Sequence, residues 1–470
     1  MASTAPPLGD TPETIAAPAR GDTRFFGHPI GLAYLAFTEA GERFSFFGMQ
    51  TLLVLYMVKQ LLLPGHIENV AGMGPFSAAI TWAYGPLNSQ GIASAIYGLY
   101  AALIFLTPIF GGALADRYLG RTRTIALGGI LMCLGHLLMA FDISFLAALV
   151  LLVLGTGCFK GNIASQVGSL YAPDDPRQAD AFQIFYIAMS IGIISAPLIC
   201  GTLGEIYGWH YGFAAAAIGM VISLAIYVHG RKHFGEEVIA AKADAVAVKL
   251  DRADVKIVLL LLVMLPLLAV TGVANAQIYN AYLLWAPVAF DLTAFGRTIP
   301  TTWLITFSAV IAMVFLFLTV TFWRAWRRRF AEPSDLSKIV IGAALSALGQ
   351  LMLYAAALQA GDGGKASLIW LVLFNLINAI AVANIYPIAL SLFARVSPKA
   401  VVSTMIGVLY LHQFIGGLIV GWVGGFLSKM PADQFWLLHV GIAAGAVVGL
   451  LLYQRVLGRM FTAEGEQAAA

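Results

Sequence analysis

The sequence predicts an all-α polytopic membrane protein, and three observations carry that prediction. Of the 470 residues, 60% are hydrophobic and only 11% are charged, and the apolar residues gather in long runs. A soluble domain is roughly 25% charged, so this chain lacks the polar shell that a soluble enzyme or a nucleic-acid-binding module would need. A mean hydropathy of +0.84 excludes disorder. Segments of about ten residues alternating in polarity, the mark of a transmembrane barrel, do not occur.

Twelve candidate spans lie near 30–60, 91–115, 124–141, 143–166, 180–205, 211–229, 256–288, 301–323, 338–358, 366–394, 401–428 and 434–456. About 20 helical residues cross about 30 Å of hydrocarbon. The first and seventh runs exceed that, so their helices should tilt or extend beyond the bilayer. Only Asp142 separates the third and fourth runs, which demands a tight turn. Cys133, Cys158 and Cys200 sit in apolar stretches and suit buried small side chains better than a disulfide or metal site. Residues 1–29 read as a disordered tail without the apolar segment of a cleavable signal, and 457–470 as a C-terminal tail.

Orientation follows from lysine and arginine in the loops. With the N-terminus inside, inner segments hold 21 of the 27 basic residues and outer segments 4; Arg43 and Lys160 lie within apolar runs. Both termini are therefore expected in the cytoplasm. A polar, mixed-charge stretch, 230–255, divides the spans into 30–229 and 256–456, six in each. Two six-helix bundles with a cytoplasmic linker suggest the major facilitator fold. The outer loop 61–90 is long, and Gly72, Gly74, Pro75, Gly85 and Pro86 mark turns in it.

Ionisable residues at membrane depth are costly and point to function. The first run holds Glu39, Glu42 and Arg43, which share one helical face. The fourth holds Lys160. Glu39 lies about 14 Å and Lys160 about 15 Å from the inner face by helical rise. Two acids and two bases at one level sum to zero formal charge. Protonating a glutamate would release Lys160 from its partner and couple a proton to a helix contact. The plainer reading is a static salt bridge between helices.

Glu39-Ala-Gly-Glu-Arg-Phe-Ser-Phe-Phe-Gly48 resembles the ExxERFxYYG motif of the proton-coupled oligopeptide transporter family of the major facilitator superfamily. Gly111–Arg121 is similar to its inner-loop signature, Gly155–Tyr171 to its fourth-helix motif, and Phe185–Gly192 to its FYxxINxG pattern. Ile299–Trp303 and Ser403–Gly407 resemble the starts of its eighth and eleventh helices. The resemblance covers about residues 25–460 and is looser in the C-terminal half. It implies a proton symporter of di-/tripeptides or peptide-like compounds that works by alternating access. Proton coupling would fall to Glu39, Glu42, Arg43 and Lys160. Substrate would meet Arg43, Phe46, Phe47, Gln50, Phe105, Lys160, Ser190, Asn275, Gln277, Ser308 and Asn384. Asp116, Arg117 and Arg121 would act in gating.

The departures from the family pattern are specific. Gln50 replaces a second arginine, and Phe46, Phe47 and Phe105 replace tyrosines. Ser190 and Ser308 stand for asparagines. The seventh-helix acid falls on Ala276 and the tenth-helix acid on Val382. Losing the second arginine together with the C-terminal acids removes both sides of a possible gate pair, where losing one would strand a buried charge. Without those acids a free ammonium group lacks its partner. The expected substrate is anionic and amphipathic, or a peptide with a modified amino terminus.

Asn275, Gln277, Asn280, Asn375, Asn378 and Asn384 on the seventh and tenth runs either bond neighbouring helices or line the pathway. His412 reads as a packed histidine. No Walker or metal-ligand pattern occurs, so the proton gradient is the expected energy source, with no cofactor. The expected partners are substrate, protons and the lipid bilayer, with no nucleic acid. The expected setting is the plasma (bacterial inner) membrane, and the expected working unit a monomer. Alternatives are a symporter or exporter of another organic acid, a non-transporting receptor, and a membrane-embedded enzyme. The last is disfavoured because the only cluster is acid–base and deep.

Overall fold

The computed structural model of the protein describes residues 22–172, 175–235, 250–294, 296–361, 363–399 and 401–467. Its helices are α1 (Ile30–Tyr56), α2 (Met73–Tyr84), α3 (Ser89–Leu114), α4 (Arg121–Leu138), α5 (Phe145–Ser169), α6 (Arg177–Ala196), α7 (Trp209–Gly230), α8 (Arg252–Ala276), α9 (Ala281–Ala289), α10 (Trp303–Trp326), α11 (Asp335–Ala360), α12 (Leu368–Val396), α13 (Val402–Leu409), α14 (Leu411–Gly424) and α15 (Ala432–Gln467). Counting α8 with α9, and α13 with α14, as broken single crossings gives twelve, with the short α2 lying between the first two. Eleven are long and apolar enough to span a membrane; the other, α4, carries Arg121 and Arg123 in its first turn.

The seventh run is not one long tilted helix. A 3-10 turn at Gln277–Tyr279 interrupts it, and Asn280 leaves helical geometry at φ −125° and ψ −103°. The break is held from α14 and α3: the Gln277 amide donates to the Val420 carbonyl of α14 at 3.2 Å, and Asn280 accepts from Ser94 Oγ of α3 at 3.0 Å. The first run does extend, through a π-helical turn at Met57–Leu61. The tight link between α4 and α5 is a 3-10 turn at Asp142–Ser144. Its Asp142 carboxylate accepts from Tyr56 Oη at 2.5 Å and lies 3.0 Å from His66 Nδ1.

The ends differ from expectation. Residues 22–29, assigned to the tail, pack as a turn beneath α1. There Asp22 accepts the Ile30 N–H, His28 bonds Tyr171 at 3.0 Å, and the hydrogen bond from Arg24 holds the Asp22 carboxyl well below the usual carboxylate range. Residues 1–21 of that tail and 236–249 of the linker lie outside the described residues. At the other end, α15 continues to Gln467 instead of stopping near 456. The outer loop is not all turns, because α2 lies within it.

Inside lipid there is little hydrophobic drive between helices, so close packing has to hold them. Glycine permits this where backbones touch. A Cβ on Gly111 of α3 would lie 2.0 Å from the Gly157 carbonyl oxygen of α5, and one on Gly98 would lie 2.4 Å from Gly421 Cα of α14. The second contact joins the two halves. Each hydrogen bond between the halves among the described residues lies toward the face away from the chain termini. There Glu205 accepts the Thr301 and Thr302 N–H groups at 2.9 and 2.8 Å, and Trp303 donates to Thr202 at 2.8 Å. Lys429 donates to the Pro86 carbonyl at 2.7 Å and Gln90 to that of Gly424 at 3.0 Å. The molecule is therefore closed on the face opposite its termini.

Candidate functional site

Helix α1 carries Glu39, Glu42 and Arg43 inward, all 5% exposed or less. Arg43 Nε lies 2.7 Å from Glu39 and 2.8 Å from Glu42. Only the Glu39 contact has hydrogen-bond geometry; both Glu42 oxygens lack a donor among the described residues. Lys160, on α5, is within Coulomb range of Glu42, Glu39 and Arg43. The four residues singled out from sequence therefore meet.

Their pairing is not the one expected. Arg43 takes both acids because it stands on their own helix, one turn from Glu39. Lys160 makes no ion pair among the described residues, and its ammonium lies 4.0 Å from the centroid of the Phe105 ring. A cation over an aromatic face gains about 2 kcal/mol when desolvated, less than a full ion pair supplies at depth. The Lys160 charge is thus the one still available to a partner. It is half-buried, whereas Arg43 is buried.

Aromatic rings wall the cluster. Arg43 stands 5.7 Å from the Phe46 ring centre, Phe46 stacks on Tyr100 at 6.4 Å, and Phe47 meets Tyr279 of the other half at 6.0 Å. The Tyr100 and Thr156 hydroxyls are buried without a partner among the described residues. Tyr100 adjoins Glu42 and Arg43. The sequence reading missed it; its signal was a tyrosine one helical turn after Tyr97, so that the two hydroxyls share a face of an apolar run.

A cavity of about 380 Å³ lies between α6, α8, α10 and α12. Ser190, Asn275 and Ser308, expected at the substrate, line it, as do Asn375, Asn378 and Tyr279. Ser308 donates to Asn375, and Asn378 Nδ2 donates to Asn275 Oδ1 at 2.8 Å. Of the other residues expected at the substrate, Arg43, Phe46, Phe47, Phe105 and Lys160 belong to the charge cluster, and three more line neither the cluster nor the cavity. Gln50 is 7% exposed and donates to Tyr97 at 3.2 Å. Gln277 is fully buried on Val420. Asn384 is 2% exposed and accepts from Trp323 Nε1 at 2.8 Å. These side chains tie helices together, since each faces a neighbouring helix.

Asp116 and Arg117 are exposed in a π-helical turn at Ala115–Leu119, on the face with the termini, and Arg121 follows at the start of α4. None of the three makes an ion pair among the described residues. No group of three or more His, Cys, Asp or Glu side chains able to hold a metal occurs among the described residues.

Two six-helix halves, one closed face and a buried charge cluster beside a central cavity define a secondary transporter of the major facilitator fold. The family model of the POT family matches residues 122–247 and 236–438. The chain belongs to the POT family, the proton-coupled oligopeptide transporters. It is 30% identical to a di-/tripeptide transporter of Lactococcus lactis subsp. lactis (strain IL1403), covering 91% of this chain and 95% of that one. It is 28% identical to the peptide transporter YePEPT of Yersinia enterocolitica subsp. palearctica, over 96% and 98%. Among solved structures it is similar to a mutant peptide transporter POT in complex with alafosfalin, with a TM-score of 0.80, 25% identity and coverage of 95% and 97%. A POT family transporter in complex with 5-aminolevulinic acid shares the fold at a TM-score of 0.76 and 22% identity, over 92% and 97%.

Proposed function

We propose that the protein is a proton-coupled symporter of di-/tripeptides or peptide-like compounds, working by alternating access. One observation carries this: a half-buried lysine without an ion pair stands beside two buried acids that share one arginine. A substrate carboxylate can take Lys160 without breaking any pair. A proton arriving on Glu42 breaks no hydrogen bond and leaves Arg43 with Glu39 alone. Both events change the charge balance of a low-dielectric cluster, where they count most.

The basic loops place the termini-bearing face in the cytoplasm and the closed face outside. The proton gradient across the plasma membrane is then the energy source, without a cofactor and without chemistry on the substrate, and a monomer contains the whole path. Asp116, Arg117 and Arg121 stand on the open face, where an ion pair between halves would form only after that face closes.

The test is uptake of labelled di- and tripeptides by purified protein in liposomes under an imposed inward proton gradient. Accumulation that an uncoupler abolishes supports the reading. Uptake indifferent to the gradient sinks it. The neutral lining of the cavity favours a narrower substrate class, developed next.

A further inference from the structure

The cavity between the halves carries no formal charge at all. None of its lining residues is Asp, Glu, Lys, Arg or His. Its volume, about 380 Å³, is that of a small-ligand pocket and large enough to seat one end of a substrate. Any ammonium group entering it would leave water without an anion to meet.

The polar groups that do line it have a defined remaining capacity. Asn375 Oδ1 accepts from Ser308, and Asn375 Nδ2 donates to the Leu371 carbonyl at 2.8 Å. Both ends of that amide are spent on protein. Asn378 and Asn275 bond each other once, at 2.8 Å. The pair keeps one NH₂ group and one carbonyl oxygen without a side-chain partner. Turning both amides over exchanges the roles but leaves the same inventory, one donor group and one acceptor. An ammonium needs up to three acceptors and offers none, and none of the acceptors here, the Ser190, Tyr279 and Tyr386 hydroxyls included, is an anion. A secondary amide needs one of each.

From this we infer that the cavity seats an acylated amino end, so that the preferred cargo is an N-acyl amino acid or N-acyl dipeptide with a free carboxylate. The inference rests on the transport reading above and narrows its substrate class. The acyl C=O accepts from the free amide NH₂ of the Asn275–Asn378 pair, and the substrate N–H donates to its free carbonyl. Met313, Leu316 and Ile194 supply an apolar wall for the acyl group. The carboxylate points to Lys160, the cation that no protein acid engages. The cluster sums to zero formal charge, so the single negative charge of such a compound is balanced by the proton carried with it, while Lys160, which makes no ion pair among the described residues, receives the carboxylate. Tyr279, which lines the cavity, stands 6.0 Å from Phe47 of the charge cluster's own helix, so the two parts adjoin.

The experiment is titration calorimetry of the detergent-purified full chain with alanyl-phenylalanine and with N-acetyl-alanyl-phenylalanine, paired with uptake of both in liposomes. The acetylated compound is expected to bind at least about tenfold tighter, a difference of about 1.4 kcal/mol. Asn378→Asp, which puts a carboxylate in the cavity, is expected to shift the preference toward the free amine by at least that factor. If Asn378→Asp does not fold, Val382→Glu places an acid on the same wall and carries the same expectation. Equal or tighter binding of the free dipeptide to the unmodified protein overturns the inference, as does failure of both to bind at millimolar concentration. If the acetylated compound binds tighter but neither is carried, the inference stands and the transport reading fails.

Discussion

The Lys160 ammonium rests 4.0 Å from the centroid of the Phe105 ring while Arg43, on a different helix, holds both glutamates. The lysine is held by a ring rather than by a carboxylate. A ring face offers weaker attraction than an anion at membrane depth, so this arrangement yields readily to an incoming carboxylate. We expect Lys160→Ala to reduce gradient-driven uptake more than about tenfold while costing no more than about 2 kcal/mol of stability, since a ring contact but no ion pair is lost. Uptake and a melting curve on the same preparation check this. A large loss of stability would show that Lys160 is a structural tie.

The two glutamates should respond differently. Glu39→Gln loses the charge-assisted hydrogen bond to Arg43 and leaves a buried cation with one partner. It should destabilise by about 1.5–3 kcal/mol. Glu42→Gln loses only a charge contact, and its stability cost should be smaller. Thermal melts of the two variants side by side decide the order.

Glu205 closes the face opposite the termini by accepting two N–H groups at the start of α10 from the other half, at 2.9 and 2.8 Å. Those N–H groups lie at and just before the N-cap of α10, the helix end where negative charge is favoured. Glu205→Ala leaves them without that partner and should disfavour the closed face by about 1.5–3 kcal/mol. The readout is labelling by a membrane-impermeant thiol reagent of a cysteine introduced by Ser94→Cys, a fully buried position that contacts Asn280 across the seam. Labelling should rise at least about tenfold with Glu205→Ala. Unchanged labelling would mean that the neighbouring contacts hold the face without Glu205.

Gly98 and Gly421 let α3 and α14 touch backbone to backbone across the halves, and a Cβ on Gly98 would stand 2.4 Å from Gly421 Cα. Gly98→Val should fold, because the clash lies between halves, but should be unable to close the face opposite the termini. Transport should fall more than about tenfold. The same Ser94→Cys labelling should report an open face. Retained transport would contradict the seam's role in closure.

Much of this was legible in the sequence. Twelve crossings, the split between halves and the four-residue cluster all follow from long apolar runs and from charges that break them. Lys160's actual neighbour was not legible. Composition sets the number of charges at a level, whereas pairing depends on which side chain reaches first, and Arg43 reaches from the same helix. The break after Ala276 was hidden because Ala-Asn-Ala-Gln contains neither proline nor glycine; it is held by Val420 and Ser94, contacts distant in sequence. Gln277 and Asn384 were misplaced for a related reason. A helix apolar on nearly every side gives no phase from which to read the direction of one amide. Glu205 stood at the end of an apolar run, where an acid reads as ordinary solvated charge.

The most direct test of proton coupling through the cluster compares two modes of transport in Glu42→Gln. Liposomes carry a pH-sensitive dye, and the same preparation is assayed for exchange of labelled against unlabelled substrate at equal pH. The cluster account predicts that substrate-induced acidification and gradient-driven accumulation fall more than about tenfold, while exchange stays within about threefold of the unmodified protein. Retained acidification in Glu42→Gln would contradict it and move the coupling proton elsewhere.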